Sequence, residues 1–258
     1  MSVAANDNAA NLTDAPLKPL RLEPLKALRA LSELLRNKED TGQVFIIMRA
    51  LSGRSTERGY ARLLRTAKGG RIAYQRDELA KTLSDSEYLS RLPESSVGRA
   101  YLQFTTSENI SAQGLIEESR KGVEQDIDRE HPLAWYGRRM RDVHDLWHVL
   151  TGYGRDAMGE ACMVAFSYAQ TRSAGFGLIG IAGALKLKRE VPSQPMLRAV
   201  WQAYRNGVKA AWLPGEDYQA LLAEPLESAR ARLNIARPSL YQSVPAEIRA
   251  TGMLPAAA

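Results

Sequence analysis

The stretch HDLWHVLTGYGRDAMGE, residues 144 to 160, limits what this chain can fold into more than any other. His144 and His148 are two of the chain's three histidines. Four residues apart on an α-helix, they differ by about 40° in direction and about one turn in height, so both imidazoles can face one point. Glu160 follows twelve residues after His148, about 18 Å further along an unbroken helix and out of reach of that point. The helix must therefore end between them. Gly152-Tyr153-Gly154 provides the end, because glycine adopts the left-handed geometry of a helix C-terminus without a side-chain penalty. A second helix from about Asp156 then brings Glu160 back. Asp145 sits about 100° around from His144, where it can bend in as a fourth ligand or hold a water behind the ligands.

Two neutral nitrogens with one or two carboxylates form a donor set for Zn²⁺, Fe²⁺ or Mn²⁺, and a poor one for Cu(I) or an iron–sulfur cluster. A bare His-x-x-x-His pair occurs often among packed or solvated histidines. The adjacent Asp, the glycine break and the Glu are what turn it into a candidate metal site at His144, Asp145, His148 and Glu160.

The rest of the chain reads as successive helices. Leu25, Leu28, Leu31, Leu34 and Leu35 repeat at three and four after Pro24, a favoured first helical residue. Val44 to Met48 is a short apolar run compatible with a strand, although its neighbours read as a compact buried helix, and no segment alternates convincingly as a strand. His131-Pro132 starts a helix expected to run from about Pro132 to Leu150 and to carry both metal histidines. On its face Arg138 is spaced to pair with Asp142, and Arg141 with Asp145. Arg141 can also orient a carboxylate or meet an acidic substrate. Between Ala174 and Leu185 lie Gly175, Gly177, Gly180 and Gly183. Each costs about 1 kcal/mol relative to alanine inside a helix, which close packing can offset, as can a smooth wall at Gly180 and Gly183 for a hydrophobic tail. The fold expected is all-α, one helical domain over residues 20–258, with the metal between two helices.

Residues 1–19 are polar and alanine-rich, too poor in apolar surface to order, and lack a basic leader and apolar core. This predicts a disordered tail without a transit signal and a cytoplasmic location. The single cysteine, Cys162, has no partner for a disulfide, and it points about 200° away from Glu160, as a small buried hydrophobe would. Thirty-five basic against 29 acidic side chains leave a net charge of +6 spread along the chain. No basic block is interleaved with aromatics, which argues against nucleic acid.

His-Asp-x-x-His followed by eleven residues and Glu resembles the signature of the ubiquinone (coenzyme Q) biosynthesis protein 4 family, complete here at His144, Asp145, His148 and Glu160. Arg139-Met140-Arg141-Asp142-Val143, Gly98-Arg99-Ala100-Tyr101, Arg205-Asn206-Gly207, Glu224-Pro225-Leu226-Glu227 and Leu233-Asn234-Ile235 add individually weaker matches, over roughly residues 25 to 240. The resemblance implies a polyprenylated benzoate or quinone precursor as ligand, with removal of the ring C1 carboxylate and its replacement by hydroxyl. It also implies a divalent cofactor, zinc first and iron or manganese next, and other ubiquinone biosynthesis proteins as partners. Peripheral attachment to the anionic face of the cytoplasmic membrane follows as well, with room for a homodimer. Two other classes compete: a non-catalytic lipid-binding scaffold with a structural metal, and an HD-type phosphohydrolase. The latter needs a further upstream His, and His131 lies about 20 Å from His144 by axial rise.

Overall fold

The computed structural model describes residues 21–37, 40, 42–108, 110 and 130–249, and among these the structure is all-α with no β-strand. The tail predicted for residues 1–19 lies outside the described residues. Pro24 opens α1 (Pro24–Arg36), and the apolar run 44–48 is helical within α2 (Gly42–Ala50). Short helices follow: α3 (Ser55–Leu64), α4 (Gly69–Gln75), α5 (Leu79–Ser84) and α6 (Ser86–Arg91), then α7 (Val97–Ser107). The second half contains α8 (Pro132–Asp142), α9 (His144–Thr151), α10 (Ala157–Thr171), α11 (Ala174–Glu190) and α12 (Met196–Lys209). It closes with the small helices α13 (Tyr218–Leu222), α14 (Leu226–Arg232), α15 (Ser239–Gln242) and α16 (Ala246–Arg249).

Helix α10 is the axis of the core. Its sequence, AMGEACMVAFSYAQT, is apolar all round, the pattern of a helix enclosed by neighbours. Met158, Cys162, Met163 and Phe166 are fully buried, and α11 and α12 both pack against it. The approach of α12 depends on Gly207, where a β-carbon would fall 2.8 Å from the Phe166 carbonyl oxygen and from Ala169 Cβ. Gln170 fastens the far end of α10. Its amide donates to Gly207 O at 2.7 Å and accepts from Leu213 N at 2.8 Å, while its own carbonyl accepts from the Trp212 indole at 3.0 Å.

The predicted continuous helix from Pro132 to Leu150 is instead two helices. Val143, fully buried, both ends α8 and precedes α9, with φ −82° and ψ −6°. His131 does start α8, its Nδ1 accepting from Leu133 N at 3.1 Å. The ion pairs expected along this helix are not formed. Arg138 pairs with Glu78, and Arg141 Nε donates to Asp142 at 2.8 Å. Tertiary structure offers Arg138 a bidentate carboxylate, a better partner than an i,i+4 neighbour on the same face.

Candidate metal centre

The helix, glycine break and helix predicted for residues 144–160 are present. Gly152 ends α9 at φ +75°, with its N–H donating to His148 O at 2.8 Å. Asp156 then caps α10 by accepting from Gly159 N at 2.8 Å, and is itself held by the Tyr241 hydroxyl. Glu160 consequently sits in the first turn of α10, where the helix dipole favours a carboxylate. His144 Nε2 and His148 Nε2 are 3.2 Å apart, and Glu160 Oε2 lies 3.7 Å and 3.6 Å from them. Three ligand atoms therefore converge within 4.8 Å.

Their surroundings select the forms that bind a cation. His148 Nδ1 lies 3.0 Å from the Tyr153 carbonyl, which can only accept, so the ring proton belongs on Nδ1 and the Nε2 lone pair faces the trio. Phe104 of α7 stacks on the ring, centroids 5.8 Å apart and planes at 18°. Burial of His148 works to lower its pKa, but the Glu160 carboxylate outweighs it and the net direction is upward. For Glu160, burial works upward and the facing imidazoles carry the net direction downward. His148 and Glu160 thus favour each other's charged forms, and protons compete with a cation for the same atoms. The site opens on one side: His148 is fully enclosed, while the side chains of His144 and Glu160 retain 25% and 38% exposure.

Asp145 is buried at the edge of this arrangement. Its side chain forms no hydrogen bond or ion pair with a described residue and is not among the converging donors. Arg141 is enclosed with Asp142, whose carboxyl is pushed upward by burial against the opposing pull of that guanidinium. Gly180 and Gly183 face α10. A β-carbon on Gly180 would lie 3.4 Å from Val164 Cγ2, and one on Gly183 3.6 Å from Ala161 Cβ, beside Glu160. Phe104, the Tyr153 carbonyl and Arg155, 3.8 Å from Glu160, are additions that the spacing of ligands does not reveal. So is Arg230, which donates to Leu150 O and Val149 O at 2.9 and 2.8 Å and satisfies the last carbonyls of the histidine helix.

Residues 15–239 match the family model described as coenzyme Q (ubiquinone) biosynthesis protein Coq4. Among similar curated proteins, the mitochondrial ubiquinone biosynthesis protein COQ4 homolog of Bos taurus is 27% identical over 75% of this chain and 72% of its own length. The mitochondrial ubiquinone biosynthesis protein coq4 of Talaromyces stipitatus is 30% identical, over 68% of this chain but only 58% of its own length. The fold matches the crystal structure of a Nostoc punctiforme protein described as a ubiquinone biosynthesis protein, with a TM-score of 0.63 and 18% identity over 83% of this chain and 99% of that one. The sequence match spans the metal-type trio and the helices that assemble it, and the chain belongs to the Coq4 family of coenzyme Q (ubiquinone) biosynthesis proteins.

Proposed function

We propose that the protein binds one divalent metal through His144, His148 and Glu160 and acts on a polyprenylated benzoate precursor of ubiquinone, removing the ring C1 carboxylate. The observation that carries this is the convergence of two imidazole nitrogens and a carboxylate oxygen at a partly open site. That donor set suits zinc, iron or manganese. Once bound, the ion supplies Lewis acidity toward a carboxylate or phenolic oxygen. The chain's own groups position the chemistry. Tyr153 O and Phe104 fix the His148 ring, and the Arg230 bonds hold the end of its helix. Asp145 is proposed at the margin of the site, as a further ligand or a holder of water, and Arg141 as the positioning group for the neighbouring carboxylate. Loss of CO₂ leaves a ring carbon that takes up a proton; replacement by hydroxyl needs a two-electron oxidant such as dioxygen.

The substrate's tail must be met at a lipid surface, since each buried CH₂ that moved into water would cost about 0.8 kcal/mol. Among the described residues no helix is long and apolar enough to cross a membrane. Supporting peripheral attachment, Leu25 and Leu28 of α1 and Ile181 and Leu185 of α11 are exposed. These two helices are joined by Lys186 donating to Leu35 O at 2.8 Å. The tail then follows the α10–α11 seam, past Gly180 and Gly183, toward Glu160.

Elemental analysis of purified protein is expected to find close to one transition metal per chain. His148→Ala and Glu160→Ala are expected to lose both the metal and complementation of a bacterium unable to modify the ubiquinone ring, and Cys162→Ala neither. Folded protein that takes up no zinc, iron or manganese on titration would refute the metal. Retained ubiquinone synthesis in the His148 variant would replace catalysis with a lipid-presenting scaffold.

A further inference from the structure

Arg139 is a buried cation that the metal centre does not use. The residue is 5% exposed, and its Nη2 donates to the Glu216 carbonyl while its Nε is buried without a hydrogen-bond partner. Its guanidinium lies 4.8 Å from the Tyr218 ring centroid and 5.8 Å from that of Trp135. Two acids have charges that reach it, and both are otherwise engaged: Asp217 with Arg71 and Glu216 with Arg232. Burial drives its pKa downward, only partly offset by those groups and by Tyr218 and Tyr136. A guanidinium in such a place is expensive to desolvate without an anion beside it.

An anion beside Arg139 has room. Arg139 lines a cavity of about 210 Å³, walled by Trp135, Tyr218, Ile72 and Leu79, with Gln75 and Gln219 beside them. None of these residues belongs to the His144, His148 and Glu160 trio.

We propose that this cavity is a second binding site, independent of the metal, for a small organic carboxylate held by Arg139. Two parallel N–H groups of a guanidinium match the two oxygens of a carboxylate. The aromatic and aliphatic walls favour an apolar body on the ligand over a bare inorganic ion. A phosphate dianion fits the charges poorly, because Arg71 is already neutralised by Asp217 and the exposed Asp77 stands at the lining. The carboxylate leaves Arg139 charged and paired, while Tyr218, on the same wall, accepts from the Trp147 indole at 2.7 Å and so joins the cavity to α9.

The test is calorimetric titration of the full chain with benzoate in excess EDTA, alongside its neutral isostere benzamide and inorganic phosphate. Benzoate binding is expected, with none measurable for the other two. Arg139→Gln should weaken benzoate binding by roughly tenfold to a hundredfold, the worth of a charged hydrogen-bonded contact. Gln75→Trp, which obstructs the cavity from an exposed position and leaves Arg139 intact, should weaken it comparably and keeps the test valid if the arginine variant does not fold. His148→Ala should bind benzoate as the wild type does, which separates this site from the metal centre. Absence of benzoate binding to the wild type, or unchanged binding in Gln75→Trp, overturns the proposal. Equal binding of phosphate overturns its carboxylate specificity.

Discussion

Helix α10 meets its two long neighbours in different ways. Against α12 there is no slack, since at Gly207 an added β-carbon would collide with the Phe166 carbonyl and Ala169. Against α11 at Gly180 and Gly183, the same addition would meet side chains at 3.4 and 3.6 Å, near or within ordinary van der Waals contact. One seam is limited by backbone and leaves no space for a β-carbon; the other is limited by side chains and accommodates one. Glu160 lies next to the side-chain-limited seam through Ala161, the side along which the tail is proposed to run.

The sharpest way to break this contrast is Gly207→Ala. The backbone oxygen cannot retreat, and an overpacking loss of about 1–3 kcal/mol is expected in denaturant unfolding. A neutral result would show that α12 can slide and that the two seams do not differ. Gly180→Leu tests the side-chain-limited seam. Activity on long-tailed substrates should fall while short-tailed analogues are spared, and equal loss on both would assign the glycine to helix packing alone.

The proposed metal trio, whose Glu160 lies in the first turn of α10, gives a pH test. The raised His148 pKa contributes stability that is complete below the ordinary histidine value of 6.5 and fades as pH rises through the folded value. The lowered Glu160 pKa contributes stability that is complete above 4.5 and fades as pH falls toward its folded value. The metal-free protein therefore gains most from the pair between those limits. The Tm increment on adding zinc should grow from about pH 5.5 to about pH 8, as protons cease to compete for the imidazoles. An increment that shrinks over this range would place the metal elsewhere. The smallest effect expected is from Gly183→Ala, a gain of about 0.4–1 kcal/mol through restriction of the unfolded chain, measurable as a shift in denaturation midpoint.

The sequence displays what is local in this fold. His144 and His148 share one helical face, and the Gly152 break, the Asp156 cap and Glu160 follow at once in the next helix, so the spacing of the trio can be read locally. His131 as a helix start and Cys162 as a buried apolar residue follow from equally short-range rules. What the sequence conceals depends on partners far along the chain. Arg138 finds Glu78 sixty residues away, and Phe104 reaches His148 from another helix. The break at Val143 carries no proline or glycine to mark it. The surrounding helix also has strong local ion-pair spacing, which pointed to Asp142 and Asp145 as partners that Arg138 and Arg141 would take; folding gives those arginines Glu78 and Asp142.

Arg230 has a bearing on when the histidine helix can be finished. The carbonyls it receives, at Leu150 and Val149, precede it by 80 and 81 residues. During synthesis α9 emerges with its C-terminal end exposed, and its final hydrogen bonds form only after nearly the whole domain has left the ribosome. His148, the proposed ligand nearest that end, is thus secured late, and metal uptake, if the proposal holds, reports on completion of the fold. A chain cut short before Arg230 would still contain every proposed metal donor and yet lack the clasp that holds two of them on a finished helix.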